Sequence, residues 1–244
     1  MKRVALSLLL LAGALAGAIS AQTPPAPAPQ TPGRQAGPPP APPSGPWPAP
    51  PARTVERDHT ALFNGKDLTG WKISGPETGF GVEQGAIVAH GLNGAGHLFY
   101  DGTVANHVFR NFNLRLDVMA RVRSNGGVYI MTEFQDTGFP QKGFEVQLNN
   151  SHTDRVRTAS LYHVVDLSNI PGKDDEWMPM EIDIQNMTIT ISLKGEQLIK
   201  WTQPADWTTN YDTRERRIGP GTIAFQAHDP NSVSAYANIR IKVN

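Results

Sequence analysis

The sequence predicts an all-β protein built as a two-sheet β-sandwich of jelly-roll type, and three observations support this prediction. Apolar and polar residues alternate in many short segments, which is the two-residue period of a strand with two different faces. Turn signals recur roughly every eight to twelve residues, as they do in sandwiches. The part expected to fold has no convincing helical periodicity, so about a dozen strands in one domain favour a sandwich with a concave binding face.

The N-terminal part of the chain is expected to lie outside this sandwich. Residues 1–21 have the layout of a secretory signal peptide, with two basic residues, an apolar run and a small-residue end. The run is shorter than the roughly 20 apolar residues of a membrane span, so membrane insertion is not expected. Residues 22–53 are mostly proline and alanine, which predicts a disordered, extended linker. Residues 54–244 are expected to form a single folded domain.

The amino-acid composition limits which cellular compartment and which kind of binding partner are expected. The chain has no cysteine, which excludes disulfides, thiol nucleophiles and the lipid-acceptor cysteine of a bacterial lipoprotein. We therefore expect a periplasmic or secreted bacterial protein. Lys plus Arg and Asp plus Glu both number 22, giving zero formal net charge, and the folded part has no run of like charges. Nucleic acid and anionic membranes are thus poor partners, and a neutral ligand is expected.

The individual elements follow from turn residues and alternation. Asn64-Gly65 interrupts apolar residues and predicts an opening hairpin or loop over 61–71, because both residues tolerate positive φ. Gly126-Gly127 precedes a strand and lets another backbone or a ligand approach closely. Residues 204–221 are expected to form a long loop that could fold over a binding face. Strands are expected at 80–83, 86–89, 97–100, 113–122, 128–131, 142–150, 160–165, 178–185, 188–193, 197–201, 222–228 and 235–243.

The strand at 142–150 carries the most informative side chains. Its even-numbered residues from 144 to 148 are apolar, while Glu145, Gln147 and Asn149 form a polar row expected on a half-exposed face. Such a row suits a sugar, although a half-exposed strand also needs polar residues without any function. Two further polar rows are expected on the same concave face, namely Gln226 with His228 and Asn238 with Arg240.

The residue types exclude several mechanisms. Glu145 is followed along its strand by carboxamides, so the carboxylate pair of a retaining glycosidase is missing. The sequence has no G-x-S-x-G motif and no paired histidines, which argues against typical serine hydrolases and zinc enzymes. One acid–base group among amides instead suits proton abstraction beside a carbonyl, with His228 as the second titrating group. The structural alternatives are a salt bridge of Glu145 with Arg240 or Arg115, and a simple loop position for His228.

Two further features are compatible with a sugar site. Tyr162 and Trp177 are candidate stacking surfaces for a sugar ring. A divalent cation is also chemically compatible with the site, and Glu145, His228 and Asp229 are its candidate ligands, but their spacing is not diagnostic. The sequence leaves the cation an open possibility.

Six segments, taken in order, carry a resemblance to a known family. They are L-F-N-G-K-D-L-T-G-W at 62–71, S-N-G-G-V-Y at 124–129, G-F-E-V-Q-L-N-N at 143–150, D-E-W at 175–177, F-Q-A-H at 225–228 and N-I-R-I at 238–241. Together they resemble the successive signatures of the 3-keto-disaccharide hydrolase family, over nearly all of the folded domain. The resemblance implies a concanavalin A-like jelly roll that cleaves the glycosidic bond of sugars oxidised at C3.

The implied chemistry needs no carboxylate pair. A ketone at C3 acidifies the C2 proton, so one base can start elimination of the C1 substituent, and water then adds to the unsaturated sugar. Glu145 and Gln147 fall on the family's E-x-Q positions, Gln226 and His228 on its Q-x-H positions, and Arg240 on its last-strand arginine. The resemblance therefore implies Glu145 or His228 as the base and the other three as substrate-binding residues.

The sequence also departs from the family pattern at four places. Gly126 stands for a serine, Met131 lies near the position of an arginine, Asn149 replaces an aspartate, and Met178 replaces the asparagine after Trp177. Asn149 and Trp177 remain candidate substrate-binding residues. The departures keep open a second hypothesis, a non-catalytic, lectin-like jelly roll that binds carbohydrate. An ordinary glucanase is a third, disfavoured by the missing carboxylate pair.

Overall fold

The computed structural model describes residues 47–91, 95–208 and 214–244, which form two antiparallel β-sheets. The described residues contain two short 3₁₀ helices, Glu77–Gly79 and Val104–His107, and no α-helix, so the predicted all-β sandwich is confirmed. No helix in these ranges is long and apolar enough to cross a membrane. The strands are β1 (Thr60–Ala61), β2 (Trp71–Ser74), β3 (Phe80–Glu83), β4 (Ala86–His90), β5 (Gly96–Tyr100), β6 (Phe112–Ala120), β7 (Gly126–Thr132), β8 (Phe144–Leu148), β9 (Met178–Gln185), β10 (Thr188–Leu193), β11 (Glu196–Thr202), β12 (Thr222–Ala227) and β13 (Val233–Val243).

The strand order brings distant parts of the chain together. The larger sheet has the order β11-β10-β9-β6-β13-β4-β3, and β1 pairs with β13. The smaller sheet has the order β2-β5-β12-β7-β8. Because β12 pairs with both β5 and β7, three segments that are far apart in sequence share one face of the smaller sheet.

The core lies between the two sheets and is formed by the apolar sides of the alternating strands. Phe225 of the smaller sheet stacks on Tyr236 of the larger sheet, with 4.0 Å between the ring centroids. Trp71 also stacks on Phe225, with 5.1 Å between the ring centroids. All three side chains are buried, and each ring buried in this way contributes about 2 kcal/mol or more. This aromatic stack therefore holds the sheets together.

Two details of the predicted strands are wrong. Residues 160–165 form a tight turn rather than a strand, because the amides of Val164 and Val165 both donate to the carbonyl oxygen of Leu161, at 2.8 and 2.9 Å. His163 adopts a φ of 56°, which lies outside the extended region of a regular strand. The strand expected over 113–122 ends at Ala120, and Val122, expected in the core, is exposed.

The end of the predicted linker is part of the folded unit. Residues 47–53, here called the N-terminal strap, lie on the larger sheet. Trp47 is 6% exposed, and the guanidinium carbon of Arg121 lies 4.3 Å from the centre of its ring. The indole N–H of Trp177 donates to the Pro48 carbonyl oxygen at 2.9 Å. The predicted disorder is therefore wrong for the strap, while the predicted signal peptide and the rest of the linker, residues 1–46, lie outside the described residues.

Candidate active site

The candidate site is a cavity of about 220 Å³ on the face of the smaller sheet that points away from the core. Five of the predicted site residues line it: Glu145, Gln147, Tyr162, Gln226 and His228. Asn125, Phe139 and Arg214 line it as well, although the sequence did not single them out. The residues meet because β7 lies between β8 and β12, which places the E-x-Q and Q-x-H segments on two sides of one strand.

Glu145 is the only carboxylate among the described residues that line this cavity. It is 4% exposed and Gln147 is 1% exposed, so the expectation of a half-exposed polar row is wrong. The row is buried because the loops that carry Phe139, Tyr162 and Arg214 enclose it. Burial raises the pKa of Glu145 to about 7, against the opposing effects of a hydrogen bond and nearby arginine charges. A carboxyl group with this pKa can accept or release a proton near neutral pH.

A chain of hydrogen bonds orients the Glu145 carboxylate. The Tyr129 hydroxyl donates to Oε2 of Glu145 at 2.9 Å, and Nε2 of Gln226 donates to the Tyr129 oxygen at 3.2 Å. Burial raises the pKa of Tyr129 well above its ordinary value, so the phenol keeps its proton and remains a donor. The positive charges of Arg216 and Arg214 also favour the carboxylate form of Glu145.

The predicted close approach at Gly126-Gly127 is present, and what approaches is a side chain. A Cβ added at Gly127 would overlap the carboxylate of Glu145 on the neighbouring strand. A Cβ added at Gly126 would lie 2.7 Å from Oγ of Ser234, which is also too close. Gly127 therefore makes room for the Glu145 carboxylate above β7, while Gly126 makes room for Ser234 on the opposite face.

A second hydrogen-bond chain connects Gln147 to His228. Nε2 of Gln147 donates to Oδ1 of Asn125 at 3.1 Å, and Nδ2 of Asn125 donates to Asp229 at 2.7 Å. The other oxygen of Asp229 lies 3.0 Å from Nδ1 of His228. If Nδ1 carries the proton and donates to Asp229, Nε2 is left as the acceptor nitrogen of His228. Oε1 of Gln147 is buried and has no hydrogen-bond partner among the described residues, so it is free to accept one from a ligand.

Aromatic side chains complete the cavity wall. Phe139 packs edge-on against His228, with 5.0 Å between ring centroids, and the guanidinium carbon of Arg214 lies 5.8 Å from the Phe139 ring. The Tyr162 hydroxyl donates to Asp154 at 3.0 Å, which holds its ring at the cavity. Flat apolar surfaces beside amide and charged groups match the mixed surface of a sugar ring.

Three predicted binding residues lie elsewhere. Asn149 is fully buried, and its side chain bonds backbone groups of the following loop, donating to the carbonyl oxygens of Asp154 and Val156. Trp177 lies against the N-terminal strap and not at the cavity. Asn238 and Arg240, expected to form a third polar row at the site, are on β13 of the larger sheet. There the Arg240 guanidinium pairs with Glu56 at 2.6 Å.

The structural alternatives for the two titrating residues can also be judged. Glu145 makes no ion pair with Arg115 or Arg240, because both arginines pair with Glu56 on the larger sheet. His228 follows the end of β12 as a loop residue would, yet it lines the cavity. Among the described residues, no group of three or more His, Asp or Glu side chains is placed to hold a metal ion, and this includes the candidate ligands Glu145, His228 and Asp229.

Four site residues were not predicted from the sequence, and they differ in how far a sequence pattern could have identified them. Tyr129 stands two residues after Gly127 on β7, so the strand period already placed it on the same face as the glycine that accommodates Glu145. Asn125 and Tyr129 also belong to the family-like segment 124–129, although the resemblance was not used to assign either a role. Phe139 and Arg214 come from irregular loops, where no period relates a residue to a face. The described part of the predicted long loop does lie against the site, because the Glu215 carbonyl accepts from the Gly143 amide at 2.9 Å.

Comparisons with known proteins agree with this fold and these motifs. The described fold resembles two structures from Parabacteroides distasonis ATCC 8503, each provisionally named a glycosyl hydrolase. The first has 21% identity and a TM-score of 0.64 and covers 77% of this chain and 94% of that one. The second has 18% identity and a TM-score of 0.59, with 76% and 99% coverage. The carbohydrate-binding module CBM66 from Bacillus subtilis has 8% identity and a TM-score of 0.50, with 71% and 95% coverage.

Sequence comparison adds the family. No curated protein matches the chain in sequence. Residues 58–242, which are most of the chain and nearly all of the sandwich, match the family described as the 3-keto-alpha-glucoside-1,2-lyase-like domain. The chain therefore belongs to this family, as the resemblance of its motifs implied.

Proposed function

We propose that this protein cleaves the glycosidic bond of 3-keto-glycosides by elimination followed by hydration. The observation that carries the proposal is a single buried carboxyl group, Glu145, whose pKa of about 7 suits proton transfer and which has no carboxyl partner among the described cavity residues. Membership of the 3-keto-alpha-glucoside-1,2-lyase-like family supports the same reaction class.

The proposed reaction assigns a role to each group at the cavity. The Glu145 carboxylate removes the C2 proton of the 3-keto sugar, and the negative charge spreads to the C3 oxygen. Arg214 and the amides of Gln147 and Gln226 are the nearby groups that can stabilise this charge by hydrogen bonds or attraction. The electrons then form the C1–C2 double bond as the C1–O bond breaks, and the departing oxygen takes the proton that Glu145 removed from C2. Through its acceptor nitrogen Nε2, His228 removes a proton from the water that attacks C1, and C2 receives that proton. Water adds across the double bond and gives the free 3-keto sugar.

A conventional glycosidase mechanism is less well supported. Retaining and inverting enzymes both need two carboxyl groups that flank the scissile bond, about 5 to 9.5 Å apart. Gln147 occupies the neighbouring position along β8, and a carboxamide cannot serve as nucleophile or acid in that chemistry. The cavity therefore favours a substrate whose own ketone makes one base sufficient.

A second candidate function is carbohydrate binding without catalysis. It is favoured by the likeness of the sandwich to a carbohydrate-binding module of Bacillus subtilis and by the departures from the family pattern at Met131 and Asn149. On this hypothesis the aromatic and amide groups of the cavity recognise a sugar, and the raised pKa of Glu145 has no catalytic consequence.

The discriminating experiment uses methyl 3-keto-α-glucoside beside methyl α-glucoside. We expect turnover of the oxidised sugar only, with a loss of at least about 100-fold in kcat/KM for both Glu145→Gln and His228→Ala. Because Glu145 must be deprotonated to act as the base, kcat/KM should rise with pH up to about 7 and then level off. Saturable binding of either sugar with no turnover would support the second candidate and reject the first.

We further propose that the protein is exported, with residues 1–21 removed and the sandwich held on the remaining Pro/Ala-rich segment. The basic residues and the apolar run within residues 1–21 support export. Expression of the full chain in a bacterium, followed by fractionation and N-terminal sequencing, should place the protein in the periplasm or medium with its N-terminus at Gln22. An intact Met1 on cytoplasmic protein would contradict this proposal.

A further inference from the structure

A second cavity, of about 320 Å³, lies on the same face of the smaller sheet as the candidate site. Phe99 of β5 and Phe134, from the loop after β7, form an edge-to-face pair in its wall, with 5.3 Å between ring centroids. Val108 and Pro220 add further apolar surface. We call this the apolar cavity. The reaction proposed above gives it no role.

An unbroken row of rings connects the apolar cavity to the candidate active site. From Phe99 the row continues to His97 at 6.1 Å, then to Phe139 at 5.9 Å, and then to His228 at 5.0 Å between centroids. His97 is fully buried, and neither ring nitrogen has a hydrogen-bond partner among the described residues. Burial lowers the pKa of His97 to about 3, so its ring stays uncharged near neutral pH.

The distance between the two cavities suits one ligand that reaches both. Thr222 of β12 lines the apolar cavity and Gln226 of the same strand lines the active site. Four residues of extended strand span about 13 Å, which is on the scale of two linked six-membered rings. The segment 133–142 also borders both cavities, since Phe134 lines one and Phe139 lines the other.

The polar groups at the apolar cavity are largely occupied. Lys142 pairs with Glu133 at 3.2 Å, and the Thr222 hydroxyl donates to the Tyr100 carbonyl oxygen at 2.7 Å. The Thr132 hydroxyl is the exception, because it is buried without a hydrogen-bond partner among the described residues. A second sugar ring carries several hydroxyl groups that would need partners when buried, whereas a flat apolar ring with one polar substituent would not.

We propose that the apolar cavity binds the leaving group of the substrate, and that the preferred substrates are 3-keto-glucosides with an aromatic aglycone. The inference rests on the proposed function, because it assigns the 3-keto sugar to the Glu145 cavity and the aglycone to the apolar cavity. Phe99 and Phe134 supply aromatic surface against which an aromatic ring packs, although Lys72 Nζ lies 3.6 Å from the centre of the Phe134 ring and covers one of its faces. Thr132 is placed to bind a hydroxyl substituent of the aglycone.

The test compares benzyl and methyl 3-keto-α-glucosides, whose leaving alcohols are of similar acidity, so that their ratio of kcat/KM reports aglycone binding. Phe134→Ala removes one wall of the apolar cavity. Val108→Asp introduces a charge into the same cavity from a different segment of the chain. Agreement between the two variants would show that the effect does not come from a general disturbance of the 133–142 loop. Met187→Ala, at an exposed position on the larger sheet, is the matched control. We expect wild-type protein and the control to prefer the benzyl glucoside at least about tenfold, and both cavity variants to lose most of this preference.

Turnover of the methyl glucoside should change little in either cavity variant, because its aglycone does not reach the apolar cavity. Equal kcat/KM for the two substrates in wild-type protein would overturn the inference and leave the proposed function intact. A benzyl preference that both cavity variants retain would also overturn it. Absence of turnover with either glucoside would reject the proposed function and the inference with it.

Discussion

Replacing Glu145 with glutamine should stabilise the folded protein above neutral pH, although it removes the proposed base. Burial raises the pKa of Glu145 from an ordinary value of 4.5 to about 7. In the unfolded chain the carboxyl group ionises near pH 4.5, so between pH 4.5 and 7 unfolding releases a proton and becomes more favourable as the pH rises. The free energy of unfolding falls by about 1.4 kcal/mol for each pH unit in this window. The loss is complete above pH 7, so it is roughly 3 kcal/mol at pH 8.

Glutamine offers an oxygen that can accept the Tyr129 hydrogen bond and has no charge to bury. We therefore expect Glu145→Gln to raise the free energy of unfolding by roughly 1 to 3 kcal/mol at pH 8 and to change it little at pH 4. Urea denaturation at the two pH values measures the difference. Glu196→Gln is the matched control, because it makes the same change at an exposed position of β11 and should have no effect at either pH.

Two results would count against this reasoning. If Glu145→Gln were less stable than wild-type protein at pH 8, the carboxylate would be contributing favourable interactions that outweigh its burial. If the variant were stabilised equally at pH 4 and pH 8, the gain would come from packing, since only the ionised form of Glu145 carries the penalty of burial. The control separates both results from a general effect of removing negative charge.

Three further predictions follow from the positions of the glycine pair, the strap and the arginine of the last strand. Gly127→Ala should displace the Glu145 carboxylate and lower kcat at least about tenfold, whereas Gly219→Ala, where an added Cβ meets nothing within 4 Å, should be neutral in the same assay. Trp47→Ala should lower the free energy of unfolding by about 2 to 4 kcal/mol with kcat unchanged, because the strap is on the larger sheet. Arg240→Ala should lower the free energy of unfolding, measured by urea denaturation, by about 1 to 3 kcal/mol, because it removes the ion pair with Glu56. KM for the 3-keto-glucoside should stay constant. A raised KM would restore the substrate-binding role implied by the family motif.

The fold could be predicted because its signals are local. Alternation identified β6, β8, β10 and β13 to within a few residues, since each strand has one face in the core between the sheets. The same logic failed at residues 160–165, where an apparent alternation around Leu161 and Val165 is part of a tight turn. A pattern of only six residues does not distinguish a strand from a turn that buries its apolar ends.

The site could be predicted only in part, because it depends on which strands become neighbours. Alternation predicts Glu145 and His228 on polar rows of one concave face, and the pairing of β7 with β8 and β12 is what brings them to one cavity. Arg240 belongs to an equally clear polar row, but β13 lies in the other sheet. The alternation of residues along a strand tells which residues share a face of the sheet. It does not tell which of the two sheets contains the strand, so the location of Arg240 could not be predicted from its segment alone.

The energetics of Glu145 bear on why this position holds an acid and not an amide. Its carboxylate is buried over Gly127 and accepts a hydrogen bond from Tyr129, which a neutral glutamine oxygen could also accept. A purely structural residue would therefore be less costly as an amide, since burying a carboxylate near neutral pH disfavours folding. What the acid provides and the amide does not is a proton-accepting oxygen whose pKa, about 7, is near neutral pH. The proposed role of Glu145 as the base of the elimination would account for this stability cost.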